Sequence, residues 1–176
     1  ALVFVLTSVQ EDGSIWRQPA MHRKGGGLAN YNTAICMTAL HALGRPELVP
    51  VVQNARTYLA KMQYLDGGSY GGGMGYDADQ GRPYTDLSNS YMAYEAMRLT
   101  QDVEDLRAAG EPKADLDWQA AQEFLAQVQN LKGVNTNSYA SESADDQGGF
   151  AYTPGAGAST TNADGKVTLR SYGSMT

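Results

Sequence analysis

The chain has 176 residues, of which 42% are apolar and 18% are charged, and its net charge is −6. This composition is normal for a folded domain and excludes wholesale disorder. The negative charge argues against nucleic acid as a partner, because phosphate binding needs clustered Lys and Arg. No apolar run approaches the roughly 20 residues of a bilayer span, and the single cysteine, Cys36, excludes an internal disulfide. The compartment stays open.

The chain opens with an apolar stretch at residues 1–6, which predicts the interior of a helix that ends near Gln10. A loop with a glycine follows and ends in Trp16. Residues 30–33 then precede an apolar run at 34–40, which predicts a second helix, buried on most sides and capped by Asn side chains. Gly44 is its predicted C-terminal cap.

The next helix is predicted at residues 50–63, where Val52, Ala55, Leu59 and Met62 recur at helical spacing. Gln53, Arg56 and Lys61 form its polar face, which predicts an outer, solvent-facing side. A glycine-rich loop leads to Tyr76, and Ser88, Asn89 and Ser90 precede another inner helix at residues 91–97. The charged segment 100–115 predicts an exposed loop.

A third outer helix is predicted at residues 121–128, before Gln129. Its loop ends in Tyr152, and an insert at residues 153–166 follows. Asp164 and Gly165 in this insert predict a small hairpin or flap.

These elements repeat. Leu-x-x-x-Gln ends the first helix of each unit at Gln10, Gln63 and Gln129, and a loop ending in glycine and an aromatic ring follows each time. Outer and inner helices alternate. The sequence therefore predicts an all-α fold, a partial α/α toroid of helical hairpins with Gly-rich loops, in units at about 1–43, 47–99 and 115–176.

This pattern resembles the QW repeat of the terpenoid cyclases and protein prenyltransferase β subunits, and residues 4–16 match it best. Residues 86–93 look like the inner-helix start of uncharacterised bacterial proteins with prenyltransferase and squalene oxidase repeats. The resemblance implies structural roles for Gln10, Gln63 and Gln129, whose side chains would satisfy backbone groups at helix ends. The later units depart from it, since they carry Tyr76 and Tyr152 in place of Trp.

The resemblance also shows where chemistry would lie. Squalene-hopene cyclases carry an Asp-x-Asp-Asp-Thr-Ala motif at an inner-helix start, but residues 29–34 and 88–93 hold no carboxylate. Prenyltransferases bind zinc through an Asp-x-Cys pattern, but Ala34 stands two residues before Cys36, and His41 lies about 140° around the helix from it. We therefore predict no metal site and no cofactor.

Two other motifs fail as sites. The glycines at residues 71–75 follow a helix rather than a strand, which argues against a dinucleotide loop. The alternating acids at residues 77–81 resemble a calcium loop, but the motif is too short and lacks the bidentate Glu at its twelfth position.

The loops and inner-helix starts should gather at one end of the fold, which makes their polar and aromatic residues a candidate cavity mouth. Amphipathic rings there suit an apolar isoprenoid or a carbohydrate, although the same rings can simply seal the ends of the repeats. The candidate residues are Trp16, His22, Tyr76, Asp77, Asp86, Asn89, Tyr91, Asp146 and Tyr152.

The leading functional hypothesis is a repeat module with a binding or interaction role and no catalytic motif in this segment. The alternatives are a squalene-hopene-like cyclase or prenyltransferase-type enzyme whose active site is completed by other sequence, and a carbohydrate-active α/α toroid. Whether the protein is an enzyme stays open. Three hairpins would leave apolar faces uncovered, so we expect further chain or a partner subunit to complete the fold.

Overall fold

The computed structural model describes residues 1–18, 27–76 and 84–173, and this part of the chain is mostly helical with one small two-stranded sheet. The predicted helical character is therefore present, with a short hairpin added. The α-helices are α1 (Leu2–Leu6), α2 (Ala29–Ala42), α3 (Val49–Met62), α4 (Leu87–Leu99) and α5 (Trp118–Val128). Single 3₁₀ segments span Pro46–Leu48, Gly68–Tyr70 and Gln101–Leu106.

Local sequence signals set several of these boundaries. Gly44 follows α2 with a φ of 62°, a left-handed conformation that suits glycine, and its N–H donates to the carbonyl of His41. Asp117 caps α5, because its carboxylate accepts a hydrogen bond from the N–H of Ala120 at 2.9 Å. The end of α2 is thus fixed by a backbone hydrogen bond, and the start of α5 is fixed by a side chain.

The predicted hairpin in the late insert is confirmed. Strands β1 (Ser159–Thr161) and β2 (Val167–Leu169) pair antiparallel, with Ser159 opposite Leu169. Gly165, with a φ of 79°, lies in the connecting turn.

The chain divides into two compact units. The first holds residues 1–63, 74–84 and 89–116, and its core is formed by buried side chains of α2, α3 and α4, among them Met37, Ala55, Leu59 and Met97. The second holds residues 64–73, 85–88 and 117–176, with a core at Leu87, Phe124 and Val128.

The polar face predicted for α3 is wrong at two of its three positions. Gln53 and Arg56 are buried, and Arg56 is only 1% exposed. The reason is the segment predicted as an exposed loop at 100–115. Its first part forms the 3₁₀ segment Gln101–Leu106, which packs against α3 and buries Val103 and Glu104.

Arg56 is satisfied by an ion pair and hydrogen bonds to this segment. Its Nε donates to Glu104 Oε1 at 2.7 Å, and its other nitrogens donate to Thr100 Oγ1 and to the carbonyl of Ala114. Burial would raise the pKa of Glu104, but hydrogen bonds from Arg107, from the Ala114 N–H and from Arg56 outweigh it and lower that pKa. Glu104 is therefore held as a carboxylate between two guanidinium groups.

No helix in the described ranges combines the length and the apolar character that crossing a bilayer requires.

Candidate functional site

The three predicted loops close with the same backbone geometry. We call the two residues that close each loop its closing pair. The N–H of the first residue donates to the carbonyl of the second, and the glycine just before the second donates back to the first. The closing pairs are Gln10–Ser14, Tyr64–Gly73 and Asn130–Gly149, and the closing glycines are Gly13, Gly72 and Gly148, with φ of 91°, 91° and 85°.

These left-handed glycines explain why each loop carries glycine at this point, since an L side chain is strained there. The repeat seen in the letters of the sequence is thus also a repeat of hydrogen bonds.

The closing pairs also show a shift of register in the first repeat. Gln10 itself is the first member of its pair, whereas Tyr64 and Asn130, each one residue after the glutamine, take this place later. The side chains differ accordingly. Gln10 Nε2 donates to the carbonyls of Ser8 and Trp16, whereas Gln129 Nε2 donates to the carbonyl of Gly148. All these bonds run to backbone carbonyls near a helix end.

The starts of α2 and α4 hold their loops in place by hydroxyl groups. Thr33 Oγ1 accepts a hydrogen bond from the N–H of Ile15 at 2.8 Å, and Ser90 Oγ accepts one from the N–H of Met74 at 2.8 Å. The predicted capping roles at these starts are therefore wrong for α2, whose N-cap is Leu28 and has no side-chain cap. Both helices begin earlier than predicted, so the hydroxyls lie inside the first turn and serve the loop.

Each of these helix starts also binds the loop of the following repeat. The N–H of Asn30 donates to the carbonyl of Tyr76 at 2.9 Å, and the N–H of Leu87 donates to the carbonyl of Tyr152 at 2.8 Å. Asn30 and Leu87 each lie three residues before the hydroxyl residue, so the positions are equivalent. Tyr76 and Tyr152 thus contribute backbone carbonyls that satisfy N–H groups at a helix start.

At these equivalent positions, the two compact units carry different pairs of interacting side chains. In the first compact unit, Tyr58 Oη donates to Asn30 Oδ1 at 2.9 Å, and Asn30 Nδ2 donates to the carbonyl of Gly75. In the second compact unit, the positions equivalent to Asn30 and Tyr58 hold Leu87 and Phe124, which pack in one buried cluster. The two equivalent pairs are therefore hydrogen-bonded in one unit and apolar in the other.

Replacing Tyr58 with Phe is expected to lower the free energy of unfolding by about 1–3 kcal/mol, because the buried Asn30 oxygen loses its donor. Adding Asn30→Leu should recover part of this loss, since the double variant recreates the pair found at Leu87 and Phe124. Urea unfolding of both single variants and the double variant measures the effect. Additive losses would show that the two positions are not coupled.

The described candidate residues of the cavity mouth are divided between the two compact units. His22 and Asp77 lie outside the described residues. Trp16, Tyr76, Asn89 and Tyr91 belong to the first compact unit, whereas Asp86, Asp146 and Tyr152 belong to the second.

In the first compact unit, Asn89 is 2% exposed and Tyr91 is 55% exposed, so Asn89 is buried whereas Tyr91 lies at the surface. The ring of Trp16 lies against Gly27, where an added Cβ would come within 2.1 Å of the ring. Gly27 is therefore needed for the close approach of this indole.

In the second unit, the carboxylates have identifiable partners. Asp86 is fully buried directly before α4, and Ser88 Oγ donates to it at 2.8 Å. Asp146 accepts hydrogen bonds from Ser141 Oγ at 2.7 Å and from the N–H of Ser171 at 2.8 Å. Asp146 therefore fixes the chain that follows β2.

Tyr152 lies beside a second tyrosine. Its ring centroid is 6.2 Å from that of Tyr172 with the planes tilted by 52°, and Tyr172 Oη accepts a hydrogen bond from the N–H of Ala158 at 2.8 Å. This geometry is an ordinary aromatic contact that stabilises the hairpin.

Within the described ranges, no group of three or more His, Cys, Asp or Glu side chains is placed to hold a metal ion. Burial raises the pKa of the Cys36 thiol, which disfavours the thiolate that zinc needs. His41 Nε2 instead lies 2.8 Å from Asp102 Oδ1.

The His41–Asp102 pair lies at a cavity of about 250 Å³ lined mainly by aliphatic side chains, including Leu40, Leu48 and Val52. The sequence did not predict this cavity, because one wall comes from residues 40–52 and the other from residues 102–106, which lie in the segment predicted as an exposed loop.

Comparison of the chain with family models, with curated proteins and with solved structures found no match.

Proposed function

We propose that this chain is a repeat module of the terpenoid cyclase and prenyltransferase-like type, part of an α/α toroid, with a binding or interaction role. The observation that supports this best is the use of the inner-helix starts. In the enzymes that the sequence resembles, these starts carry the catalytic acid. Here Asn30, Thr33 and Ser90 bind loop backbone instead.

The packing between repeats supports a structural role for the loops. Gly13 lies so close to α3 that an added Cβ would be 2.5 Å from the carbonyl oxygen of Asn54, and Gly72 lies in the same way against Ala120 of α5. Each of these two loops is thus held by the first helix of the next repeat. Such nearest-neighbour contacts are the basis of stability in repeat proteins.

The ligand class that we propose is an apolar isoprenoid, with a carbohydrate as the alternative. Tyrosines at the loop ends, among them Tyr76 and Tyr152, offer rings with a polar edge to either ligand.

The enzymatic alternative has one observation in its favour. Asp86 places a buried carboxylate directly before α4, at an inner-helix start. If the chain takes part in cyclisation, Asp86→Asn should abolish the turnover of squalene. A module should show no turnover in either form.

The module proposal is tested by removing the hydroxyl of Thr33. Thr33→Val keeps the shape but leaves the buried N–H of Ile15 without its acceptor, so unfolding should become about 1–3 kcal/mol easier. Affinity for farnesyl diphosphate or an oligosaccharide, measured by calorimetry, should not change.

Thr38→Val is the matched control, since among the described residues this hydroxyl donates only to the carbonyl of Ala34 in the same helix. An equal loss of stability in both variants, or a loss of ligand affinity in Thr33→Val alone, would contradict a purely structural role.

A further inference from the structure

Among the described residues, the third repeat carries an edge without the helix contact that the first two repeats make. Gly13 and Gly72 are buried, each against the backbone of the following first helix, and an added Cβ would lie 2.5 Å from Asn54 O and 1.9 Å from Ala120 O. Gly148 closes its loop with the same hydrogen bonds and a φ of 85°. Yet no atom of the described residues lies within 4 Å of the position of its Cβ.

The neighbouring positions show the same difference. Ile15 and Met74, directly after the first two closing pairs, are 1% and 0% exposed. Their equivalent in the third repeat, Phe150, is only half-buried. The third loop is therefore built for a helix contact that the described residues do not supply.

We infer that this edge, formed by Gly148 and Phe150, binds a helix of the same kind as α3 and α5. The inference rests on the proposed function and names its partner, because the edge continues the interface already formed twice within the chain.

The two helices that occupy the equivalent edges define the chemistry of this partner. At the closest approach they carry Asn54-Ala55 and Ala120-Ala121, short side chains that let the helix backbone reach the glycine. Four residues after the contact comes an aromatic ring, Tyr58 or Phe124, followed by leucine, and the helix ends at a glutamine. The partner is thus an amphipathic helix. Its sequence carries, in order, a short residue, an alanine, two variable residues, an aromatic residue and a leucine.

Glycine is essential to this contact for two reasons. Its φ is strained for any L residue, and the absence of a Cβ leaves room for a carbonyl oxygen at contact distance. A substituted side chain at Gly148 would fill that room. The edge therefore discriminates against partners by shape, and not by charge.

The test uses the full chain and a synthetic peptide with the sequence of residues 117–129, at millimolar concentration because a helix this short is marginal alone. Nuclear magnetic resonance should show amide shifts at residues 147–151 that saturate with peptide. Gly148→Ala should weaken binding at least tenfold. Gly133→Ala is the matched control, since Gly133 has the same φ of 85° and open space around it, and it should bind as the parent chain does.

Three outcomes would overturn the inference. The first is peptide binding that Gly148→Ala leaves unchanged, and the second is no peptide binding at all. The third is concentration-dependent self-association that Gly148→Ala abolishes but the peptide does not inhibit, because a second copy of the chain would then be the occupant. A peptide carrying Ala120→Leu should fail to bind. The Thr33→Val experiment is independent of these results, so failure here would leave the module proposal standing.

Discussion

Replacing Arg56 with Ala is expected to lower the free energy of unfolding by about 3–5 kcal/mol, because it leaves the buried carboxylate of Glu104 with one guanidinium instead of two. Arg56 is 1% exposed, and it joins α3 to Glu104, Thr100 and Ala114. Its loss would also release the 3₁₀ segment Gln101–Leu106 from α3. Urea unfolding followed by circular dichroism measures the change.

Arg45→Ala is the matched control. Arg45 pairs with Glu47 at 3.8 Å, and both side chains are more than half exposed. An exposed pair of this kind contributes about 0–1 kcal/mol. Similar losses in the two variants would show that the Arg56 network does not hold the segment 100–115 against α3. The double variant Arg56→Ala with Glu104→Ala should lose less than the sum of the single losses, because no buried charge then stays partly paired.

The role of Arg56 shows why the sequence predicted the helices well but not what covers them. The spacing of Val52, Ala55 and Leu59 identifies α3 and its apolar face without knowledge of any partner. Arg56 lies on the polar face of that helix, and only the fold brings Glu104 to it. A hydrophobic pattern records the side chain itself and not the distant segment that packs on it.

The candidate site shows the same limit. Leu-x-x-x-Gln marks the ends of α3 and α5, but the prediction is wrong for α1, which ends at Leu6, four residues before Gln10. The loops that follow grow longer from Gly13 to Gly72 to Gly148. Matching letters could not show that Gln10 sits one hydrogen-bonding position later than Gln63 and Gln129. The glycine of each loop was visible in the sequence, whereas its contact with the next helix was not.

The capping prediction failed for a related reason. Asn and Ser are residues that favour helix N-caps, so residues 30–33 and 88–90 predicted helix starts directly after them. In α2 and α4 the loop supplies the contacts that stabilise an earlier start, and the polar side chains bind the loop. Tertiary contacts thus decided the boundary.

The second large effect is expected at Gly72. Gly72→Ala should lower the free energy of unfolding by roughly 2–5 kcal/mol, the sum of about 1–2 for a left-handed alanine and about 1–3 for overpacking. The added Cβ would lie 1.9 Å from the carbonyl oxygen of Ala120 and 2.4 Å from its carbon. Both atoms belong to helix backbone, which cannot move aside as a side chain can, so α5 itself must shift.

Gly44→Ala separates the two parts of this effect. Gly44 has a φ of 62° and no atom of the described residues within 4 Å of an added Cβ, so it carries the strain without the clash. It should lose only about 1–2 kcal/mol. The difference between the two variants, measured by urea unfolding, is then the energy of the contact between this loop and the next helix. Equal losses would mean that the glycine serves only the turn, and the repeat would have no glycine-mediated contact to extend at Gly148.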